Sequence, residues 1–188
     1  MNKKCSLILL LFLALPLPGQ EPAALSTLDQ PHNYRAQRAS SSAADWQKSN
    51  DDRIPVEPGQ TVTLMDAAGP GRIAHIWFTI AAAERNYSRR ITLRMYWDGE
   101  TDPSVEAPLG DFFAIGHGMD VELNSMPVRI TSNGRARNCY WPMPFRKSAR
   151  ITLTNDGKKP IRSLYYQIDW QKLPALPADA PYFHARYR

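Results

Sequence analysis

Apolar and polar residues alternate along most of the chain from residue 54 onward, which predicts β-strands. The segments with this two-residue period are residues 60–65, 73–80, 91–97, 151–153 and 163–170. Turn-forming pairs follow two of them, Asp98-Gly99 and Asp156-Gly157. No stretch of a dozen residues repeats with the helical period, although short helical turns fit near residues 81–85. With 16 prolines and 10 glycines, the pattern predicts an all-β protein, a β-sandwich or jelly roll.

The same alternation predicts which side chains face the core. In residues 91–97 the shared face carries Ile91, Leu93, Met95 and Trp97. In residues 163–170 the inward set is Leu164, Tyr166, Ile168 and Trp170. In residues 73–80 one face carries Ala74, Ile76, Phe78 and Ile80, and the other carries Ile73, His75, Trp77 and Thr79.

The first twenty residues have the layout of a secretory signal peptide. Lys3 and Lys4 precede a nine-residue apolar run, and Pro16, Pro18 and Gly19 then interrupt it. The run is shorter than the roughly 20 residues that a membrane-spanning helix needs. A buried N-terminal helix is the alternative. The layout predicts export to the periplasm or the cell exterior, with no membrane attachment after cleavage.

The remaining chain divides by composition. Residues 21–52 are polar and rich in Ala, Ser and Gln, and we interpret them as an extended, partly ordered arm. Residues 53–172 hold the predicted strands and form the predicted jelly-roll β-sandwich. Residues 173–188 begin as a Pro-rich connection and then become aromatic again, from which we expect the start of a further ordered segment.

Charge and cysteine content exclude several classes. The formal net charge is +5, to which Lys3 and Lys4 contribute two, and no basic stripe with interleaved aromatic residues indicates nucleic-acid binding. Arg85, Arg89 and Arg90 are interpreted as a solvated loop. Cys139 is the lone cysteine after signal removal, so we expect no internal disulfide. The four histidines are scattered, and we expect no zinc site and no cofactor.

Two acidic motifs are candidates for a binding or catalytic site. Asp51 and Asp52 lie where the arm meets the first strand, and Asp111 lies in P-L-G-D-F-F with His117 close behind in G-H-G. Aromatic rings beside carboxylates suit sugars, because ring faces stack on C–H groups while the acids bond hydroxyls. The alternative is structural, with Asp111 capping a turn and the two phenylalanines in the core. Glycoside hydrolysis also needs a pair of carboxylic acids, and the sequence alone reveals no such pair.

Longer strings along the chain belong to a recognisable pattern. They are S-N-D-D at Ser49, I-P-V-E-P-G-Q-T-V-T-L at Ile54, G-P-G-R-I-A-H-I-W-F-T-I at Gly69, L-R-M-Y-W-D-G-E at Leu93, P-L-G-D-F-F at Pro108, G-H-G at Gly116, R-N-C-Y-W-P-M-P-F-R-K-S-A-R-I-T-L-T-N at Arg137, Y-Y-Q-I-D-W at Tyr165 and Y-F-H-A-R-Y-R at Tyr182. In these strings the chain resembles glycoside hydrolase family 172, formerly a domain-of-unknown-function family. The resemblance runs from about residue 40 to residue 188.

The resemblance implies two jelly rolls in each subunit and assembly as trimers or multiples of trimers. It also implies a retaining exo-acting enzyme for furanosidic sugars, D-arabinofuranosides or fructofuranosides, with two catalytic glutamates. In the family these glutamates lie in G-E-G-D and G-T-G-T-E-D-Y motifs, neither of which is present here. The resemblance therefore gives no catalytic residue, and Asp51, Asp52, Asp111 and His117 are the implied substrate-binding groups. The chain also departs from the family's S-x-D-R-T-G-G-N-D-D stretch at residues 45–50, which leaves that loop's shape open.

Three hypotheses follow. The chain is the N-terminal half of an exported furanoside-cleaving enzyme, inactive by itself. Alternatively it is a non-catalytic glycan-binding module, or a structural subunit that pairs with a separately encoded second half.

Overall fold

Two β-sheets, packed as a sandwich, hold about half of the described residues. The computed structural model describes residues 30–43, 45, 47 and 52–187, so the predicted signal peptide lies outside the described residues. The chain divides at His32, and every strand named below belongs to the unit Asn33–Arg188. No helix in the described ranges has the length and apolar character needed to cross a bilayer.

Thirteen strands and two short helices make up the regular structure of the described residues. The strands are β1 (Arg35–Ser40), β2 (Ile54–Val56), β3 (Thr61–Ala68), β4 (Gly71–Ala82), β5 (Ile91–Trp97), β6 (Val105–Pro108), β7 (Leu123–Asn124), β8 (Val128–Thr131), β9 (Ala136–Cys139), β10 (Met143–Phe145), β11 (Ser148–Asn155), β12 (Ile161–Lys172) and β13 (Ala185–Arg186). A 3-10 helix spans Tyr87–Arg89, and the helix α1 spans Leu109–Phe112.

The chain alternates between the two sheets in the manner of a jelly roll. The eight-stranded sheet has the order β1-β12-β4-β9-β8-β7, with β10 also pairing with β4 and β2 with β12. The five-stranded sheet has the order β13-β6-β5-β11-β3. Strand β3 lies in the smaller sheet, β4 in the larger, β5 and β6 in the smaller again, and β11 and β12 are likewise split. The predicted all-β jelly-roll sandwich is confirmed.

The core lies between the sheets and is built from the predicted inward faces. Strand β5 buries every second residue, beginning at Ile91 and ending at Trp97. Strand β12 does the same at Leu164, Tyr166 and Ile168. Each large side chain buried in this way stabilises the fold by about 1.5–3 kcal/mol, and this core holds the domain without a disulfide in the described residues.

Strand β4 departs from the predicted alternation at its start. Ile73 was placed opposite Ile76 and Phe78, yet all three are buried in the core. The ladder with β12 shifts register there, since Asp169 pairs with His75 while Trp170 pairs with Ile73. One extra residue, Ala74, is therefore accommodated in β4 as a bulge, and a bulge reverses which side chains face inward beyond it.

Cys139 is a core residue. Its side chain is 1% exposed at the end of β9. Burial raises the pKa of the thiol to about 12, so it stays protonated at neutral pH. Its role is packing, not nucleophilic chemistry.

The segments on either side of the predicted sandwich also take part in it. Strand β1, within the predicted arm, pairs with β12 from Arg35–Lys172 to Ser40–Gln167. At the other end of the chain, β13 pairs in parallel with β6, and the Trp97 indole donates a hydrogen bond to the Phe183 carbonyl at 2.8 Å. The aromatic C-terminal segment is therefore held against the smaller sheet.

The Asp98 side chain links the end of β5 to the start of β11 and to the C-terminal segment. Its carboxylate accepts hydrogen bonds from the backbone N–H groups of Arg146, Lys147 and Ser148 and from the Tyr182 hydroxyl. Burial alone would raise the pKa of Asp98, but these hydrogen bonds, that of Tyr182 foremost, bring it below its ordinary value. The ionised form of Asp98 therefore stabilises the folded state.

Asp98→Asn is expected to lower the free energy of unfolding at pH 7 by about 1–2 kcal/mol, because the charge-assisted bonds become neutral ones. Asn tolerates the left-handed backbone that Asp98 adopts at φ 56°. A lowered folded pKa means that the contribution is complete above the unfolded value of about 3.9 and is lost as the pH falls through the folded value. Urea titrations of both proteins at pH values from neutral to acid measure the difference between their free energies of unfolding. This difference should disappear in acid. The exposed Asp102→Asn is the control, and a difference that persists at low pH would contradict the assignment.

Candidate functional site

Two short helices meet at one end of the smaller sheet and form the base of the candidate site. The 3-10 helix Tyr87–Arg89 precedes β5, and α1 follows β6 directly. Gly110 permits their close approach, because a Cβ there would lie 2.8 Å from the Ile115 carbonyl oxygen and 3.1 Å from the Ser88 Oγ. The glycine of P-L-G-D-F-F is thus a packing requirement that brings Asp111 towards the 3-10 helix.

Arg89 and Asp111 form the charged centre of the site. The Nη1 of Arg89 donates to both carboxylate oxygens of Asp111, at 2.8 and 2.9 Å. Its Nη2 donates to the Tyr187 hydroxyl at 2.7 Å, and the guanidinium lies 4.5 Å from the Tyr187 ring centroid. The Asp111 side chain remains 19% exposed and that of Arg89 31% exposed, so both are accessible to a ligand.

The G-H-G turn supports Arg89 from the other side. Gly118 adopts a φ of 68°, and a Cβ on it would lie 2.7 Å from the Asn86 Cβ and 2.9 Å from the Arg89 Cγ. Any larger residue there would displace the stem of Arg89. The turn therefore restricts where the guanidinium can lie.

A cavity of about 260 Å³ opens beside this centre. Its lining is Ala107, Asp111, Phe112, Phe183, Ala185, Arg186 and Tyr187. Phe112 and Phe183 meet edge to face with ring centroids 6.4 Å apart. The ring centroids of Trp141 and Phe183 are 6.1 Å apart. Apolar ring faces next to a carboxylate and a guanidinium form a surface that can stack on a sugar ring and bond its hydroxyls.

A buried arginine holds the 3-10 helix in place. Arg137 is 1% exposed; its Nη2 donates to Asp120 at 2.9 Å and its Nη1 to the Tyr87 hydroxyl at 3.1 Å. The Tyr87 hydroxyl in turn donates to Asp120 at 3.1 Å. Burial raises the pKa of Tyr87 above its ordinary value, so it remains a neutral donor. Since Tyr87 and Arg89 share one helical turn, this network also orients Arg89.

The structure separates the predicted site residues. Asp51 lies outside the described residues. Asp52 accepts a hydrogen bond from the Ala43 N–H at 3.3 Å, Asp111 pairs with Arg89, and His117 is exposed in the turn with a φ of 61°. In the described part of the chain no hydrogen bond or ion pair links Asp52, Asp111 and His117 to one another. Asp111 is the predicted residue around which a cavity forms.

Sequence reasoning missed the partners of Asp111. The sequence places Arg89 in a solvated loop and the aromatic residues from Tyr182 onward in a further ordered segment, with no link from either to Asp111. The available signal was the string Y-F-H-A-R-Y-R, because three Tyr and Phe side chains in seven residues are unusual for an exposed linker. Their approach to residue 111 depends on the parallel pairing of β13 with β6.

Several carboxylates of the chain are paired with arginine side chains. Among the carboxylates with an arginine partner are Asp111 with Arg89, Asp120 with Arg137, Asp169 with Arg38 and Glu106 with Arg94. A glycosidase instead directs a pair of carboxyl groups at the scissile bond. The described residues also hold no group of three or more His, Cys, Asp or Glu side chains placed to bind a metal ion.

Comparison with known proteins yields one family. The family model described as GH172 domain-like matches residues 47–168, which include Asp111, Arg89 and Arg137. No curated protein matches the chain.

Gly118→Ala is expected to destabilise the protein more than Gly99→Ala. Both glycines have left-handed backbones, with φ of 68° and 87°, so both substitutions carry the same strain of about 1–2 kcal/mol. A Cβ at Gly99 meets nothing within 4 Å, while one at Gly118 overlaps Asn86 and Arg89. The clash adds about 1–3 kcal/mol. Equal midpoints in thermal unfolding of the two variants would show that Gly118 does not support Arg89.

Proposed function

Because the chain belongs to the GH172 domain-like family of glycoside hydrolases, we propose that it is the substrate-binding jelly roll of an enzyme acting on furanosidic sugars. The observation that carries this proposal is the cavity lined by Asp111, Phe183 and Tyr187, two of which are hydrogen-bonded by Arg89. D-Arabinofuranosides and fructofuranosides are the substrates that the family resemblance favours.

The size and chemistry of the cavity support a single sugar unit. Ligand pockets commonly enclose about 300–1,000 Å³, and the cavity of about 260 Å³ lies just below that range. Asp111 offers acceptors to hydroxyl groups, Arg89 offers donors, and Phe183 and Tyr187 offer ring faces. A terminal furanose, bound at the end of a glycan chain, matches this combination and an exo mode of action.

The chain by itself is proposed to bind without cleaving. A retaining glycosidase positions two carboxyl groups about 5–5.5 Å apart, one of them protonated at the start of the reaction. Asp111, Asp120, Asp169 and Glu106 instead have arginine partners. The proposal therefore assigns turnover to carboxylates supplied together with this domain, as by the second jelly roll of a longer enzyme.

A non-catalytic glycan-binding module is the second candidate, and the same ion pairs favour it. Such a module uses its carboxylates as hydrogen-bond acceptors for hydroxyl groups and needs no general acid. Addition of a second jelly roll distinguishes the two candidates, because turnover appears in the first case and not in the second.

Export and assembly are also part of the proposal. The basic start and short apolar run of residues 1–20 support secretion to the periplasm or exterior. The family resemblance supports a trimer or a multiple of trimers. Recovery of the protein from the periplasm or medium tests export, and light scattering of the purified protein tests assembly.

Asp111→Ala is expected to weaken binding of an arabinofuranosyl or fructofuranosyl oligosaccharide by roughly tenfold or more, because a charge-assisted acceptor is lost and Arg89 loses its ion partner. Isothermal titration calorimetry measures the change, and Asp102→Ala is the exposed control. Arg89→Lys keeps the charge but loses the forked geometry, so its affinity should lie between wild type and Asp111→Ala. Equal affinities for Asp111→Ala and wild type would show that the sugar does not bind in this cavity.

The purified chain is expected to release no sugar from linear arabinan or from fructofuranosyl disaccharides, because Asp111 is the one carboxylate among the described residues that line the cavity, and it is paired with Arg89. Reducing-sugar release over a day at pH 5–7 measures this, with a known arabinofuranosidase as the positive control. Turnover that disappears in a single Asp or Glu variant of this chain would overturn the assignment.

A further inference from the structure

A second group of polar and aromatic side chains lies on the outward face of the eight-stranded sheet. Arg38 of β1 is the cross-strand neighbour of Asp169 of β12, and Asp169 is the neighbour of His75 of β4. Asn138 of β9 lies on the next strand of the same sheet. None of these residues lines the cavity beside Asp111.

Hydrogen bonds hold these side chains in a fixed array. The Nε of Arg38 donates to Asp169 Oδ1 at 2.6 Å, and the Nδ1 of His75 lies 3.2 Å from Asp169 Oδ2. The Nε2 of His75 lies 3.1 Å from the Asn138 Oδ1, while the Asn138 amide nitrogen donates to the Arg129 carbonyl at 3.2 Å. Burial by itself would raise the pKa of Asp169, but the bonds from Arg38 and His75 hold it below its ordinary value. The array is therefore ordered before any ligand arrives.

An aromatic ring covers the array and remains accessible. The Tyr140 ring stacks on His75 with centroids 4.8 Å apart and an angle of 14° between the planes. Tyr140 is nevertheless 47% exposed, so part of its ring is accessible to solvent. The next residue, Trp141, is 38% exposed, and its ring centroid lies 6.1 Å from that of Phe183, which lines the cavity. Two consecutive rings thus connect the outward sheet face with the cavity.

The unused hydrogen-bonding capacity of the array defines its ligand. After the bonds above, the carboxylate of Asp169 keeps free lone pairs, and the two terminal nitrogens of Arg38 have no partner among the described residues. The Arg38 and Asp169 charges are paired with each other, so the pair presents donors and acceptors without a net charge. A partly exposed ring beside paired donors and acceptors matches a neutral polyhydroxyl ring better than a phosphate, a metal ion or an apolar peptide.

We propose that Arg38, His75, Asn138, Tyr140 and Asp169 form a second carbohydrate-binding site, which takes further sugar units of a neutral furanosidic glycan whose terminal unit lies in the cavity. The proposal rests on the proposed function for the identity of the sugar. It adds that affinity rises with glycan length, because the second site is engaged only by a chain long enough to pass Trp141.

Glycan length separates the two sites experimentally. Titration calorimetry compares methyl α-D-arabinofuranoside with linear arabinan, and methyl β-D-fructofuranoside with inulin. Tyr140→Ala is expected to weaken polymer binding by roughly fivefold and to leave the monosaccharide unaffected, because one stacking ring is removed. Tyr140→Phe should retain the polymer affinity, because its ring is preserved. Tyr96→Ala removes an outward ring on the other sheet, stacked under Arg150, and is the matched control.

The results distinguish failure of this inference from failure of the proposed function. If Asp111→Ala weakens both ligands while Tyr140→Ala weakens neither, the second site is wrong and the cavity assignment stands. If the polymer binds no more tightly than the monosaccharide in the wild type, the second site is also wrong. If Tyr140→Ala instead changes the oligomeric state in sedimentation velocity, the face is an interface between copies of the chain and the inference is overturned. Asp169→Asn, whose shape is preserved, should reproduce the polymer-selective loss.

Discussion

The opposite orientation of successive side chains along a β-strand is the constraint on which this structure depends. Each strand buries alternate residues between the two sheets, so the intervening residues must face outward. Ile168 and Ile76 point into the core, and their neighbours Asp169 and His75 therefore meet on the outward face. The core and the polar array on the larger sheet are two consequences of the same strand pairing.

The region of the 3-10 helix and α1, at one end of the smaller sheet, is held by charged side chains and not by strand alternation. There the chain leaves the sheets through short helices and turns, and ion pairs hold most of its buried charge, although Ser88 Oγ and Arg137 Nε have no hydrogen-bond partner among the described residues. The buried guanidinium of Arg137 would be costly alone, and Asp120 and the Tyr87 hydroxyl compensate for its lost hydration. Because these bonds fix the turn that carries Arg89, the stability of this region and the geometry of the cavity are linked.

The C-terminal segment joins these two parts. The Trp97 indole and the Asp98 carboxylate, consecutive at the end of β5, bond Phe183 and Tyr182, also consecutive. This connection places the aromatic wall of the cavity against the smaller sheet, while Trp141 approaches Phe183 from the β9–β10 connection.

The fold class and most of the core could be predicted from the amino-acid sequence, because strand alternation is a local property that hydrophobicity reveals directly. Ile91 to Trp97 and Leu164 to Ile168 face inward as predicted. The sequence also identified Asp111 as a candidate, since its carboxylate lies among aromatic residues. The other features depend on contacts between distant segments. The inward turn of Ile73 depends on a bulge, which arises from pairing with β12 and leaves no mark in the local pattern. Arg89 approaches Asp111 across 22 residues, and His75 approaches Asp169 across 94. Such partnerships are set by strand order and by the docking of distant segments, because a side chain's neighbours in space are not its neighbours along the chain.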